Sequence, residues 1–79
     1  MSILHALIEY AAREAECPVD RVLVYGPASP RKLVDARYAA WLIAAEAGCS
    51  REQTARAFKT TKRTVVRGVK AAREMEWRQ

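Results

Sequence analysis

Only one segment of this sequence, Val19-Asp20-Arg21-Val22-Leu23-Val24, has the β-branched density of a strand, and no second segment is available to pair with it. That leaves no sheet to build, and Pro18 at the head of the segment favours a short helix there. The other apolar residues recur at helical spacing. Ser2 is placed to cap a first helix with the stripe Ile3, Leu4, Leu7, Ile8, Ala11 and Ala15, which stops near Cys17, before Pro18. Gly26-Pro27-Ala28-Ser29-Pro30 is a connector by composition. Ser29 as cap and Pro30 at the first position then start a long central helix. Its stripe is Leu33, Val34, Arg37, Ala40, Trp41 and Ala44, and Gly48 is placed to end it in the left-handed conformation.

Beyond Gly48, Ser50 and Gln53 have the spacing of a capping box, opening a short helix that buries Thr54, Ala55 and Phe58. Lys59-Thr60-Thr61 breaks that helix, and a last one runs from about Lys62 with the inner stripe Val65, Val66, Val69, Ala72 and Met75. The reading is a small all-α fold, one domain over residues 1–79, with a helix-turn-helix motif at about residues 50–76. A core of this size has few buried positions to spare for a catalytic site and its support. No paired carboxylates, Cys/His pair or Gly-rich phosphate loop are placed to act together, so no enzymatic activity and no cofactor are expected. Cys17 and Cys49 stand alone with His5, which is no metal set, and His5 reads as structural or solvated. No secretory signal or membrane-spanning run is evident, which points to a cytoplasmic protein with reduced thiols.

Charge separates the chain into two parts. Residues 1–28 hold two basic and four acidic side chains, whereas residues 29–79 hold 12 basic and 5 acidic. From Lys59 to Arg73 six basic residues occur without an acidic one, which suggests a polyanionic partner. If Val65, Val66 and Val69 face inward, then Lys62, Arg63, Thr64, Arg67 and Lys70 gather on the outer face and leading end of the last helix, where a recognition helix meets base edges in the major groove. Arg63 or Arg67 could grip guanine O6 and N7, and Thr64 suits a phosphate or a thymine methyl, with Thr61 beside it in the turn. The alternative is a solvated basic face. Arg31 and Lys32 precede the central helix, within reach of an adjacent minor groove.

Over about residues 3–75 the chain resembles the C-terminal DNA-binding domain of the bacterial replication initiator DnaA. Ala36-Arg37-Tyr38-Ala39-Ala40-Trp41-Leu42-Ile43-Ala44-Ala45-Glu46 is similar to that family's (Pro/Ala)-Arg-Gln-x-Ala-x-x-Leu-Ala-x-Glu stretch. Ser50, Gln53, Ala57, Phe58 and Arg63-Thr64-Val65-Val66 resemble its Ser-x-x-Glu-Ile-Gly-x-x-Phe and Gly-x-Arg-Asp-His-Thr-Thr-Val. The segment Ser29 to Lys32 stands where the family has a basic loop that enters the minor groove. The resemblance implies a tryptophan-repressor-like helix-turn-helix and a bacterial or phage origin. The chain departs from the family at Lys59-Thr60-Thr61-Lys62-Arg63-Thr64-Val65, where only Thr64 keeps the register of the base-reading Asp-His-Thr, and it carries no nucleotide-binding motif.

Arg37 matches the family's central-helix arginine; contact with the DNA backbone near the turn is the reading taken, an internal ion pair the alternative. Trp41 and Phe58 fall on buried stripes and are core anchors. The expected function is sequence-specific binding of double-stranded DNA, as a transcriptional regulator acting by site occupancy. Rival readings are a replication accessory competing for initiator sites and a protein-interaction adaptor. A monomer is the default, with a dimer open through the first helix.

Overall fold

Ser2 starts α1 (Ile3–Glu14) by accepting a hydrogen bond from the His5 amide at 3.2 Å, as its place before the apolar stripe implies. The computed structural model describes residues 2–27 and 29–77. Leu7, Ile8, Ala11 and Ala12 form the buried face of α1. The helix ends in a Schellman turn, with the Cys17 amide bonded to the Ala12 carbonyl at 2.9 Å and Glu16 held at φ 54°. α2 (Val19–Val22) is a single turn behind Pro18 that buries Val22 completely, so the first four residues of the Val-rich segment are helical.

The central α3 (Arg31–Glu46) starts one residue later than the sequence suggests. Pro30 is its cap without a side-chain hydrogen bond, and the Ser29 hydroxyl turns back to donate to the Gly26 carbonyl at 3.0 Å. Ser29 tightens the connector instead of capping the helix. Gly48 ends α3 as expected, at φ 92°. α4 (Arg51–Ala57) carries the complete capping box: the Gln53 amide donates to Ser50 Oγ at 3.0 Å, and the Ser50 amide donates to Gln53 Oε1 at 3.2 Å. α5 (Lys62–Trp77) completes the all-α fold, and no strand occurs among the described residues. None of the described helices is long and apolar enough to cross a membrane.

α3 is the spine: α1 packs along one side, α5 along another, and α4 seats against α5. The aromatic centre of the core is Trp41, 1% exposed, which meets the fully buried Phe58 edge-on at 5.9 Å and Tyr38 at 5.6 Å. Gly68 permits this closeness, because a Cβ there would lie 2.4 Å from Trp41 Cε3. α5 therefore faces α3 through Val65, Gly68, Val69 and Ala72. Two residues of the expected inner stripe do not join them: Val66 is 39% exposed and Met75 is also exposed. At about 100° per residue, a buried arc centred between Val65 and Gly68 leaves Val66 outside it, while Met75 lies beside Tyr38 and Leu42 at the rim of the α3–α5 contact.

Candidate nucleic-acid interface

Seven residues of α4, a four-residue break and α5 form the helix-turn-helix, and the break is held by its own hydrogen bonds. Phe58 ends α4, Lys59 takes the left-handed conformation at φ 55°, and the Thr60 amide bonds back to the Ala55 carbonyl at 2.9 Å. Thr61 then caps α5: its Oγ1 accepts from the Thr64 amide at 3.2 Å and lies 2.8 Å from the Thr64 hydroxyl. Both threonine hydroxyls are thus engaged at the helix start. Thr64 is half-buried on the flank toward the connector, so its hydroxyl is not a free contact group, while Thr61 is exposed at the helix tip.

The outer face of α5 is built by helical geometry from Arg63, Arg67 and Lys70, all exposed and spaced three and four residues apart. Arg63 and Arg67 have no ion-pair partner among the described residues, so both guanidiniums are available to an anion. Lys62 lies on the side toward α4, where its Nζ is 3.5 Å from Glu52 Oε1. Glu74 follows Lys70 on the same stripe and ends the basic surface one turn later. The cationic face covers the first nine residues of α5, Lys62 to Lys70.

Arg31 and Lys32 stand at the start of α3. The Arg31 side chain is 84% exposed and pairs along the helix with Asp35 at 3.2 Å. Lys32 reaches back to Glu16 at 2.8 Å, and this partner lowers the Glu16 carboxyl below its usual pKa. Both pairs are solvent-exposed, where water and salt screen them, and they yield readily to a competing anion. The connector joins this region to α5, since Gly26, Ser29, Tyr38 and Thr64 line one shallow groove of about 180 Å³. Connector and α5 tip thus lie on the same side of the molecule.

Arg37 does not reach that surface. It is 3% exposed, so the reading of it as a backbone-phosphate contact is corrected, and among the described residues no carboxylate pairs with it either. Its guanidinium donates to the carbonyls of Val22 at 3.0 Å, Arg21 at 3.2 Å and Val24 at 2.6 Å, closing the end of α2. It also lies 4.1 Å from the centre of the Tyr25 ring. Burial pulls its pKa down, against the opposing influence of Tyr25.

Tyr25, which sequence reasoning passed over, carries this anchorage to the motif. Its Oη donates to the carbonyl of Phe58 at 2.7 Å, the last residue before the left-handed turn, and burial pushes the phenol up to about 12. Arg37, Tyr25 and Phe58 therefore form a continuous tie from α3 through the connector to the break between α4 and α5. A tyrosine beside Gly-Pro gave no periodic signal that would have revealed this role. Gly68 did leave a trace, since it falls on the inner stripe between Val65 and Ala72.

Comparison with family models, curated proteins and solved structures finds no match to this chain.

Proposed function

We propose that this chain is a sequence-specific double-stranded DNA-binding protein that acts in the cytoplasm as a transcriptional regulator, by occupying its site. One observation carries the reading: Arg63, Arg67 and Lys70 stand exposed within the first nine residues of a helix whose opposite face is locked against α3, directly after a capped four-residue break. That is the arrangement in which a recognition helix enters the major groove. Arg63 and Arg67 supply guanine-reading forks, Lys70 a phosphate contact, and Thr61 and Lys62 backbone contacts at the helix start. Arg31 and Lys32 contact phosphate or the neighbouring minor groove by exchanging Asp35 and Glu16 for DNA. In this proposal the chain is a DnaA C-terminal-domain-like module that places itself on DNA without driving an ATP-dependent assembly, and it binds as a monomer.

The test compares one preferred and one scrambled duplex at fixed salt, then repeats both from 50 to 200 mM. With roughly 4–7 phosphates neutralised, log affinity falls against log salt with a slope near −0.9 per contact. Arg63→Ala lowers binding to the preferred duplex by about 1–3 kcal/mol and narrows the gap to the scrambled one, while Lys70→Ala weakens both alike. A flat salt response removes duplex DNA as the ligand and leaves the protein-interaction adaptor.

A further inference from the structure

Val66 is exposed on the second turn of α5, with Lys62 and Lys70 one turn away on either side and Arg63 and Arg67 flanking it. At 39% exposure the covered part of the side chain gains from burial, but its outer part stays in water, and valine is a weaker helix former there than alanine, lysine or arginine. The residue therefore stands as an apolar group ringed by four cations. Those cations determine what approaches it, a ligand bearing phosphates on both sides of an apolar surface. In the major groove, the apolar group that a base edge offers is the C5-methyl of thymine.

The threonines at the start of the helix do not compete for that contact. Their hydroxyls lie 2.8 Å apart in the cap, and Thr64 projects on the opposite flank of α5, toward the connector. Val66 carries two γ-methyls on the flank that Thr64 does not occupy. We infer that Val66 is a specificity-determining residue that reads one thymine of the bound site by packing its γ-methyls against the C5-methyl. This contact rests on the DNA-binding reading above and adds to it a named base. The arginines would select guanines, and Val66 a thymine lying between their contacts.

The experiment uses a duplex selected by the wild-type protein from random DNA, with each thymine replaced in turn by deoxyuridine, which pairs identically but lacks the methyl group. Wild type loses roughly threefold to tenfold affinity at one position, as the removal of one buried methyl implies. Val66→Ala, a better helix former whose melting curve reports its fold, binds the thymine and uracil duplexes alike at that position, and Val66→Thr, with one γ-methyl, falls between. If wild type still prefers the selected duplex over a scrambled one but tolerates uracil at every position, the inference is overturned while DNA reading stands. A selected site without thymine, or a uracil penalty that persists in Val66→Ala, overturns it equally. If wild type binds selected and scrambled duplexes alike, sequence reading itself fails, and this inference with it.

Discussion

Replacing Gly68 by alanine sets two known effects against each other. In an open helix the change gains about 1 kcal/mol, because alanine loses less backbone entropy than glycine. Here the added Cβ would lie 2.4 and 2.6 Å from Trp41 Cε3 and Cζ3 and 2.8 Å from Tyr38 Cδ1, so α5 must move off α3 or the indole must shift. The indole has nowhere to go, being 1% exposed and backed by Phe58. Overpacking of this kind costs about 1–3 kcal/mol and sometimes more, and the clash involves two rings, which places it at the upper end. The expected net loss is about 1–2 kcal/mol. For a domain of this size, with a total stability on the order of 4–12 kcal/mol, that lowers Tm by roughly 5–15 °C.

Urea unfolding followed by tryptophan fluorescence measures this loss, in a Trp77→Phe background so that Trp41 is the reporter. Followed by circular dichroism, because the change removes the fluorescent reporter, Trp41→Leu should shrink the penalty of Gly68→Ala, since the two sites share one contact. An alanine variant as stable as wild type or more so, with unchanged Trp41 emission, refutes the close α3–α5 seating. The orientation assigned to Arg63, Val66 and Arg67 depends on that seating.

Three further outcomes are expected. Arg37→Lys should destabilise the protein by about 3–5 kcal/mol in urea unfolding, because one ammonium cannot serve three carbonyls spread along the end of α2 and stays buried without a carboxylate; a loss below 1 kcal/mol contradicts the tie. Tyr25→Phe frees the Phe58 carbonyl and should cost about 1–3 kcal/mol near neutral pH. Because the folded phenol titrates at about 12 and the unfolded one near 10, Tyr25 stabilises fully below pH 10 and loses that contribution as pH rises through 12. The stability gap between wild type and Tyr25→Phe should therefore shrink across that window. Lys59→Gly relieves a left-handed residue at φ 55° and should raise stability by about 0.5–1 kcal/mol; lower thermal stability would place the strain elsewhere.

The local elements were legible because their signals are local. Ser2, the Ser50–Gln53 box, Gly48 and Thr61 act within three or four residues of where they stand, so the caps and the break between α4 and α5 could be read directly from sequence. Charge segregation was equally open, since six basic residues without an acidic one between Lys59 and Arg73 are plain in the sequence. What the sequence did not determine was the centre of each buried arc. Apolar periodicity drew Val66 into the core because Gly68 has no side chain to register as buried, yet the missing side chain is what lets Trp41 sit against α5 and turns Val66 outward. Arg37 shows the same limit from the polar side. Its place on the stripe indicated a residue near the core, but only the return of the chain through α2 brought three carbonyls and the Tyr25 ring to its guanidinium. Hydrogen bonds that join residues 13 to 33 positions apart leave no periodic mark on a sequence, and packing alone decides them.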